Sequence, residues 1–454
     1  LVQRETTQRH RRLAWVTAAS LAGMIFASGL AITAIQARDS ARDQRREAEG
    51  LVAFMLGDLR EKLEPIGKLD ALDGVGAKVL AYYAKQDASD LSDAGLLQRS
   101  RALSLTAEVA YVRGDIEAAR RLYREAMAGT AEAIRRDGSD PQRLFDHAQN
   151  VFWAADIERQ LGKVAEAEAG MREYKRLADQ MVALDPNNMK WRMEQQSAYF
   201  NLGIMLFERR KFREAIQQFT RSLSTMEALA AADPSNTNYT IAVTESQTWL
   251  ADARMATGQL AEAIPIRERL VAVLQHLLRT TGDVVYRQKL VPAERSLGDL
   301  LWYRGQVPEA LVHFRAAADH SDALLAREPE NSRWSYFSAR ARLDLAQGLL
   351  TSGGGDGAAA ETATACNVAQ RLVATDSNVQ RWRAVQRDCW LMRARVALKR
   401  SDLQQASGFA QRAVDAARAV STSDPTHDKY GIAEAFRLFG DTRQRLGDTS
   451  GARA

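Results

Sequence analysis

Few residues of this 454-residue chain have the types and spacing that catalysis requires. The six histidines are scattered along the chain, at positions 10, 147, 276, 313, 320 and 427. They form no HExxH pattern and, with the two cysteines, no zinc-binding spacing. The stretch GVGAK at 74–78 lacks the Gly-Lys-Ser/Thr ending of a phosphate-binding loop. The sequence therefore predicts no catalytic residues, no metal site and no cofactor in this chain.

Two columns of acidic and aromatic residues, repeated at intervals of about 48, are the better candidate for a binding site. The first column contains Asp156, Asp252, Asp299 and Asp441, and the column three residues later contains Arg159, Phe207 and Trp302. Residues three apart lie on one face of a helix. Such a face suits a basic or an extended peptide. The alternative is a solvated face whose aromatic residues pack on the neighbouring unit.

The two cysteines are placed symmetrically about a predicted turn. Cys366 and Cys389 are equidistant from a turn centred near residue 377, on helices that run antiparallel. A disulfide would fit if their Cα atoms lie within about 7 Å and if the compartment is oxidising. The alternative is two buried thiols that act as small hydrophobic side chains.

The elements that position these residues repeat about every 48 residues. The repeat is marked by a pivot residue, which is Gly114, Gly162, Arg210, Gly258, Gly305, Gly353, Ser401 or Gly447. Glycine is the usual left-handed residue at the end of a helix. Alanine stands five residues after every pivot, as at Ala215 and Ala310, and alanine or glycine stands seven before, as at Gly203 and Gly298.

Each unit is predicted to be a hairpin of two helices of roughly 20 residues. The two small columns would let the helices approach to about 8–10 Å. Aromatic residues near the start of the first helices, including Trp191, Trp334 and Trp382, would fill the wider end. Turns such as DPSN at 233–236 would stop one helix and cap the next.

The segments at 201–223 and 297–317 resemble tetratricopeptide repeats. In the first of them, Leu202, Gly203, Phe207, Ala215 and Phe219 match that motif in place or one position off. The resemblance covers residues 91–454, about 7.5 units, with a period of 48 instead of the usual 34 or so. It implies an all-α fold, a right-handed superhelix of paired helices with the first helices on the concave face.

The N-terminal part has a different composition. Residues 1–12 form a basic stub, and the uncharged residues 13–35 predict a single transmembrane helix, because 23 residues span about 34 Å. Residues 36–90 predict a juxtamembrane helical adaptor that ends in a degenerate unit capping the repeats. Arginines flank the span equally on both sides, and we expect the repeats to be periplasmic.

The net charge argues against a nucleic-acid partner. The formal charge of the chain is +5, and all of this excess lies in residues 1–46. The remaining 408 residues carry 54 charges of each sign. The basic character therefore belongs to the flanks of the predicted membrane helix and not to a nucleic-acid surface.

These features predict a single-pass membrane protein whose repeats bind a protein or peptide, as the sensing or scaffolding part of a bacterial signalling protein. A second hypothesis is the C-terminal sensory part of a receptor-type serine/threonine kinase, or of another signalling enzyme, whose catalytic domain precedes Leu1. The first residue, which is leucine and not methionine, favours it. A third is a structural protein of envelope assembly.

Overall fold

The computed structural model describes residues 69–83, 91–421 and 429–448, together with a few residues between 33 and 54. Regular secondary structure within these ranges is α-helical throughout. The predicted all-α class is therefore confirmed for the part of the chain that the structure describes.

The predicted basic stub, residues 1–12, lies outside the described residues. So does the predicted transmembrane helix at 13–35, apart from Thr33 and Ile35. Among the helices in the described ranges, none combines the length and the apolar character needed to cross a membrane. The membrane helix thus stays a prediction from the sequence.

The helices after the first contain between 17 and 22 residues and are joined by short turns. In chain order they are α1 (Leu69–Tyr83), α2 (Asp93–Val112), α3 (Ile116–Arg136), α4 (Pro141–Gln160), α5 (Val164–Leu184), α6 (Met189–Glu208), α7 (Phe212–Ala232), α8 (Thr237–Ala256), α9 (Leu260–Thr281), α10 (Val284–Tyr303), α11 (Val307–Leu325), α12 (Ser332–Thr351), α13 (Gly355–Thr375), α14 (Gln380–Lys399), α15 (Leu403–Ser421) and α16 (Lys429–Arg445).

The chain divides into two compact units, Leu1–Ala198 and Tyr199–Ala454, with the boundary inside α6. In the first unit α2 pairs with α3 and α4 with α5, and α3 packs on α4. In the second unit the hairpins α8/α9, α10/α11, α12/α13 and α14/α15 follow one another, and α16 packs on α15. First helices of successive hairpins also touch, α10 with α12, α12 with α14 and α14 with α16. Each unit is thus a series of stacked helical hairpins.

All eight predicted pivots adopt the left-handed backbone conformation. The six glycines have φ between 73° and 91°, and Arg210 and Ser401 have φ of 59° and 60°. In each turn the N–H after the pivot donates to the carbonyl five residues earlier, as Asp115 does to Ala110 at 2.9 Å. This hydrogen bond is typical of the Schellman ending of a helix. The predicted unit, a hairpin of two helices joined by a tight turn, is therefore confirmed.

The predicted alanine and tryptophan columns are buried. Ala215 and Ala310 have no exposed surface, and they stand where the second helix of a hairpin meets the first. Trp191, Trp334 and Trp382 are only 5–6% exposed. Burial of such large side chains near the start of a first helix provides much of the apolar area that each hairpin removes from water.

The glycines of the other small column make room for a phenylalanine. A Cβ added to Gly298 would lie 2.5 Å from Cε1 of Phe314, and one added to Gly203 would lie 2.5 Å from Cε1 of Phe219. Both phenylalanines are buried on the second helix of the same hairpin. At these two positions the column has glycine because a phenylalanine ring occupies the space that a Cβ would need.

Helix α1 packs on the first repeat. Its Val79 and Tyr83 are buried with Leu105 of α2, and the Tyr83 hydroxyl donates a hydrogen bond to Oε1 of Gln98 at 2.6 Å. Most other residues of the predicted adaptor, 36–90, lie outside the described residues. Its role as a capping unit remains a prediction.

Cys366 on α13 and Cys389 on α14 are buried in one apolar cluster. Both are free thiols. A hydrogen bond between their side chains lowers the pKa of Cys366, and the same bond together with burial raises the pKa of Cys389. The two side chains therefore face each other in the reduced state, and the disulfide stays a prediction.

Candidate ligand-binding groove

The predicted acidic row is largely neutralised by arginines of the same chain. In the first unit, Arg159 donates to Oδ1 of Asp156 at 2.8 Å, and the Tyr111 hydroxyl donates to Oδ2 at 3.2 Å. Arg159 and Asp156 were both predicted to face a ligand. Each instead has its partner one helical turn away, which leaves little free charge on this surface.

In the second compact unit (Tyr199–Ala454), other arginines pair with the carboxylates of the predicted acidic row. Asp252 accepts a hydrogen bond from Arg267, whose side chain is only 3% exposed. Asp441 accepts one from Nη1 of Arg437 at 3.0 Å. A basic peptide would have to displace these arginines. A role of these carboxylates in binding remains a prediction.

Asp299 has a different environment. Its burial raises the pKa of the carboxyl group to about 7, and the neighbouring charge of Asp344 adds to the rise. Arg295 and Arg340 oppose the shift, but Nε of Arg295 already donates to Asp344 at 2.5 Å. Asp299 belongs to the predicted acidic row, and the charge of its carboxyl group therefore changes near neutral pH.

The predicted aromatic residues pack mainly on other aromatic rings. Phe207 makes edge contacts with Phe212 and Trp249, at centroid distances of 5.2 and 5.4 Å. Trp302 makes an edge contact with Tyr303 at 5.4 Å. The contact of Phe207 with Trp249 fits the alternative interpretation, in which the aromatic residues pack between repeats. The contact of Phe207 with Phe212 lies within one hairpin, and Trp302 contacts its neighbour on the same helix.

A groove of about 790 Å³ opens in the second unit along α10, α12, α14 and α16. All four are first helices of their hairpins. It is lined by Tyr303, Tyr336, Arg340, Leu343, Asp344, Gln347, Gln380, Arg381, Ala384, Arg387, Asp388, Leu391, Met392, Arg395, Gly431 and Glu434. Its volume is in the range of ligand pockets, about 300–1,000 Å³.

A chain of ion pairs crosses the groove from helix to helix. Arg340 of α12 donates to Oδ2 of Asp388 on α14 at 2.5 Å, and Arg387 donates to Oδ1 of the same carboxylate at 2.5 Å. Asp344 accepts from Arg295 of α10. Charge-assisted hydrogen bonds of this kind fix the side chains in place. The groove wall is therefore a preorganised polar surface.

The far end of the groove is formed by α14 and α16. Arg395 donates to Oε1 of Glu434 at 2.7 Å. Arg437 and Arg395 together lower the pKa of Glu434 to about 2. The backbone of Gly431 passes so close to Arg387 that an added Cβ would lie 2.3 Å from the guanidinium carbon. A larger residue at this position would therefore have to displace the guanidinium of the buried Arg387.

Arg381 supplies the unbalanced charge of the groove. The lining contains four arginines and three carboxylates. Each of the three carboxylates accepts a hydrogen bond from an arginine. Arg381 is exposed, lies 5.7 Å from the ring centroid of Tyr336, and has no carboxylate partner among the described residues. The groove is accordingly suited to a ligand that carries a negative charge.

One buried acceptor of the groove has no hydrogen-bond donor. Oε1 of Gln380 is buried without a partner in the described structure. An N–H group of a ligand would satisfy it. Within the described ranges no three His, Cys, Asp or Glu side chains are grouped to hold a metal ion. The groove offers hydrogen bonds, charge and apolar contact, which are the means of reversible binding.

Two residues of the predicted acidic column that were not among the predicted site residues line the groove. Gln347 and Arg395 occupy the same column as Asp252 and Asp299, and they do line the groove, but they were passed over because they are not acidic. Tyr336 and the other arginines lie one or more turns earlier on the same helices. Their only sequence signal was a position on a first helix.

The geometry defines a helical-repeat protein of the tetratricopeptide type. No protein-family model matches the sequence, and no curated protein does.

Solved structures resemble the fold. The apo form of the quorum sensor NprR from B. thuringiensis superposes with a TM-score of 0.53 at 11% identity, over 91% of this chain and 97% of that chain. The apo form of RapI superposes with a TM-score of 0.54 at 11% identity, over 87% and 98%. YrrB, described as a TPR protein with an unusual peptide-binding site, gives 0.32 at 15% identity, over 55% and 98%. The tetratricopeptide-like fold predicted from the sequence is confirmed.

Proposed function

We propose that this protein is a sensor or scaffold that binds an extended peptide or protein segment in the groove of its second unit. The groove between α10 and α16 carries the proposal. It is the place where four successive first helices bring aromatic, apolar and preorganised charged side chains to one surface. Recognition by such repeats needs no change in the backbone, because the wall is already held by ion pairs.

The charges of the groove suggest the character of the segment. The carboxylates already accept hydrogen bonds from arginines, whereas Arg381 has no such partner among the described residues. We therefore propose that the segment places an acidic group near Arg381 and an apolar side chain near Leu391 and Met392. This replaces the basic peptide suggested by the acidic row.

The likeness to the quorum sensor NprR supports a sensing role, since that protein has the same fold over most of both chains. The uncharged sequence at 13–35 supports anchoring to a membrane, and we propose that the repeats lie on the periplasmic side. A topology reporter fused after Ala454 tests the latter point. Reporter activity on the cytoplasmic side would contradict it.

Selection from a random dodecapeptide library tests the groove. We expect enriched peptides that contain an acidic residue and that lose binding about 10-fold or more to the variants Arg381→Glu and Tyr336→Ala. The matched control is Arg371→Glu, which makes the same charge change on an exposed arginine of α13. Peptides that bind the wild type and Arg381→Glu equally would contradict the groove assignment.

A further inference from the structure

A second cavity lies in the same unit, on the other side of α14. It encloses about 330 Å³ between α13, α14 and α15. Arg393 and Val396 of α14 line this cavity, whereas Met392 and Arg395 of the same helix line the groove. The two sites have no lining residue in common.

The cavity lies where α13 carries small side chains in place of the large ones of the preceding second helix, α11. Counted from the pivot, Ala359 of α13 corresponds to Leu311 of α11, and Thr362 corresponds to Phe314. Phe314 fills the space inside its own hairpin. Alanine and threonine leave this volume empty between α13 and its neighbours.

Arg393 stands at a position that is a buried leucine in four other units. Eight residues before the pivot, four consecutive units have Leu202, Leu250, Leu297 and Leu345, all of them buried. The next unit has Arg393 there. Ala359, Thr362 and Arg393 therefore occur in the same repeat and line the same cavity. A charged side chain stands there in place of a leucine, beside the space that the small side chains leave empty.

The guanidinium of Arg393 is fixed by aromatic rings and not by an acid. It lies 5.0 Å from the ring centroid of Trp390 and 5.7 Å from that of Phe409, and the two rings stack at 6.0 Å. No carboxylate of the described residues pairs with Arg393. The hydrogen bond from Cys389 lowers the pKa of Cys366 against the effect of burial, and the charge of Arg393 and a hydrogen bond from its side chain add to the lowering.

The other charged groups of the cavity are already engaged. Arg400 donates to Oδ1 of Asp356 at 2.9 Å. Asp402 caps α15, where its Oδ1 accepts from the N–H of Gln405 at 2.9 Å. The remaining wall is mostly apolar, and includes Phe409. The cavity thus combines apolar surface with one uncompensated positive charge.

We propose that this cavity binds a small organic monocarboxylate with an alkyl or aryl body. The carboxylate would pair with Arg393, and the apolar body would lie against Ala359, Val396 and Phe409. Such a pairing supplies the anion that the arginine lacks, and the volume suffices for a compound at the small end of the range for ligands. The site is separate from the proposed peptide groove and does not depend on it.

Isothermal titration of the full chain with 4-phenylbutyrate and octanoate tests the proposal. We expect saturable binding of at least one of the two acids, with a Kd between about 10 μM and 1 mM. The amine analogue 4-phenylbutylamine should bind at least about 10-fold more weakly. Absence of saturable binding of both acids, or equal binding of the amine, would overturn the proposal.

Two variants locate the ligand. Arg393→Leu installs the residue that four other units have, so that folding should be retained, and it should weaken carboxylate binding about 10- to 100-fold. Ala359→Leu should block binding by filling the cavity. The control Arg412→Leu removes a cation that also lies 5.0 Å from Trp390 but does not line the cavity. If Arg393→Leu binds as the wild type does, or Arg412→Leu loses binding equally, the assignment is wrong.

Discussion

Replacement of Gly298 by alanine should destabilise the protein, although alanine favours helices. In a helix interior alanine is better than glycine by about 1 kcal/mol. Here the new Cβ would lie 2.5 and 2.6 Å from two ring carbons of Phe314, which is only 2% exposed. Overpacking of this kind typically costs about 1–3 kcal/mol. We expect a net loss of up to about 2 kcal/mol in the free energy of unfolding, which is the overpacking cost less the gain in helix propensity.

The matched control is Gly408→Ala in α15. Gly408 is also inside a helix, but nothing lies within 4 Å of the position of its added Cβ. The same chemical change should therefore stabilise the protein by about 0.5–1 kcal/mol. Urea denaturation followed by far-UV circular dichroism measures both variants against the wild type.

A second change tests the cause. Phe314→Leu removes the ring carbons that the new methyl group would meet. The loss due to Gly298→Ala should therefore be smaller in the Phe314→Leu background than in the wild type, with a coupling energy of about 1 kcal/mol or more. If alanine stabilises equally at 298 and 408, the steric explanation of the small column is refuted.

Other consequences of the structure can be measured directly. Ser401→Gly should raise the free energy of unfolding by about 0.5–1 kcal/mol, since Ser401 holds a left-handed φ of 60°; an unchanged thermal midpoint would contradict this. The raised pKa of Asp299, about 7, means that its contribution to stability is present below pH 4 and is lost as the pH rises through 7. Asp299→Asn should therefore stabilise the protein at pH 8 but not at pH 4, and equal effects at both pH values would exclude a buried carboxyl. Mass spectrometry of protein from an oxidising compartment should find Cys366 linked to Cys389, and two free thiols would remove the sequence argument for a periplasmic location.

The repeat architecture could be predicted from the sequence because its causes act within one hairpin. A left-handed turn and a close helix crossing each require a small residue at a fixed distance from the pivot. Because of this requirement, small residues recur at the same distance from the pivot in successive repeats, and this recurrence can be seen in the sequence whatever the other residues are. Arg210 and Ser401, which break the glycine column, still adopt the same turn because the hydrogen bond after them is retained.

The groove could not be predicted because its causes act between hairpins. The pairing of Arg340 with Asp388 depends on how α12 and α14 are offset, which no column within one helix records. Asp252 and Arg267 lie on the two helices of one hairpin, and their pairing is likewise not recorded by a column within a single helix. The pairs Asp156–Arg159 and Arg437–Asp441, three and four residues apart on one helix, could have been foreseen.

This separation has a consequence for how repeats of the second unit could be rearranged. The fit of Gly298 to Phe314 belongs to a single hairpin, so that a hairpin moved as a whole would keep its internal packing. The ion pair between Arg340 and Asp388 joins two hairpins. Exchanging either hairpin for another would leave one of these two residues without its partner. The steric fit of Gly298 to Phe314 therefore defines an individual hairpin, whereas the ion pair between Arg340 and Asp388 defines which hairpin follows which along the groove.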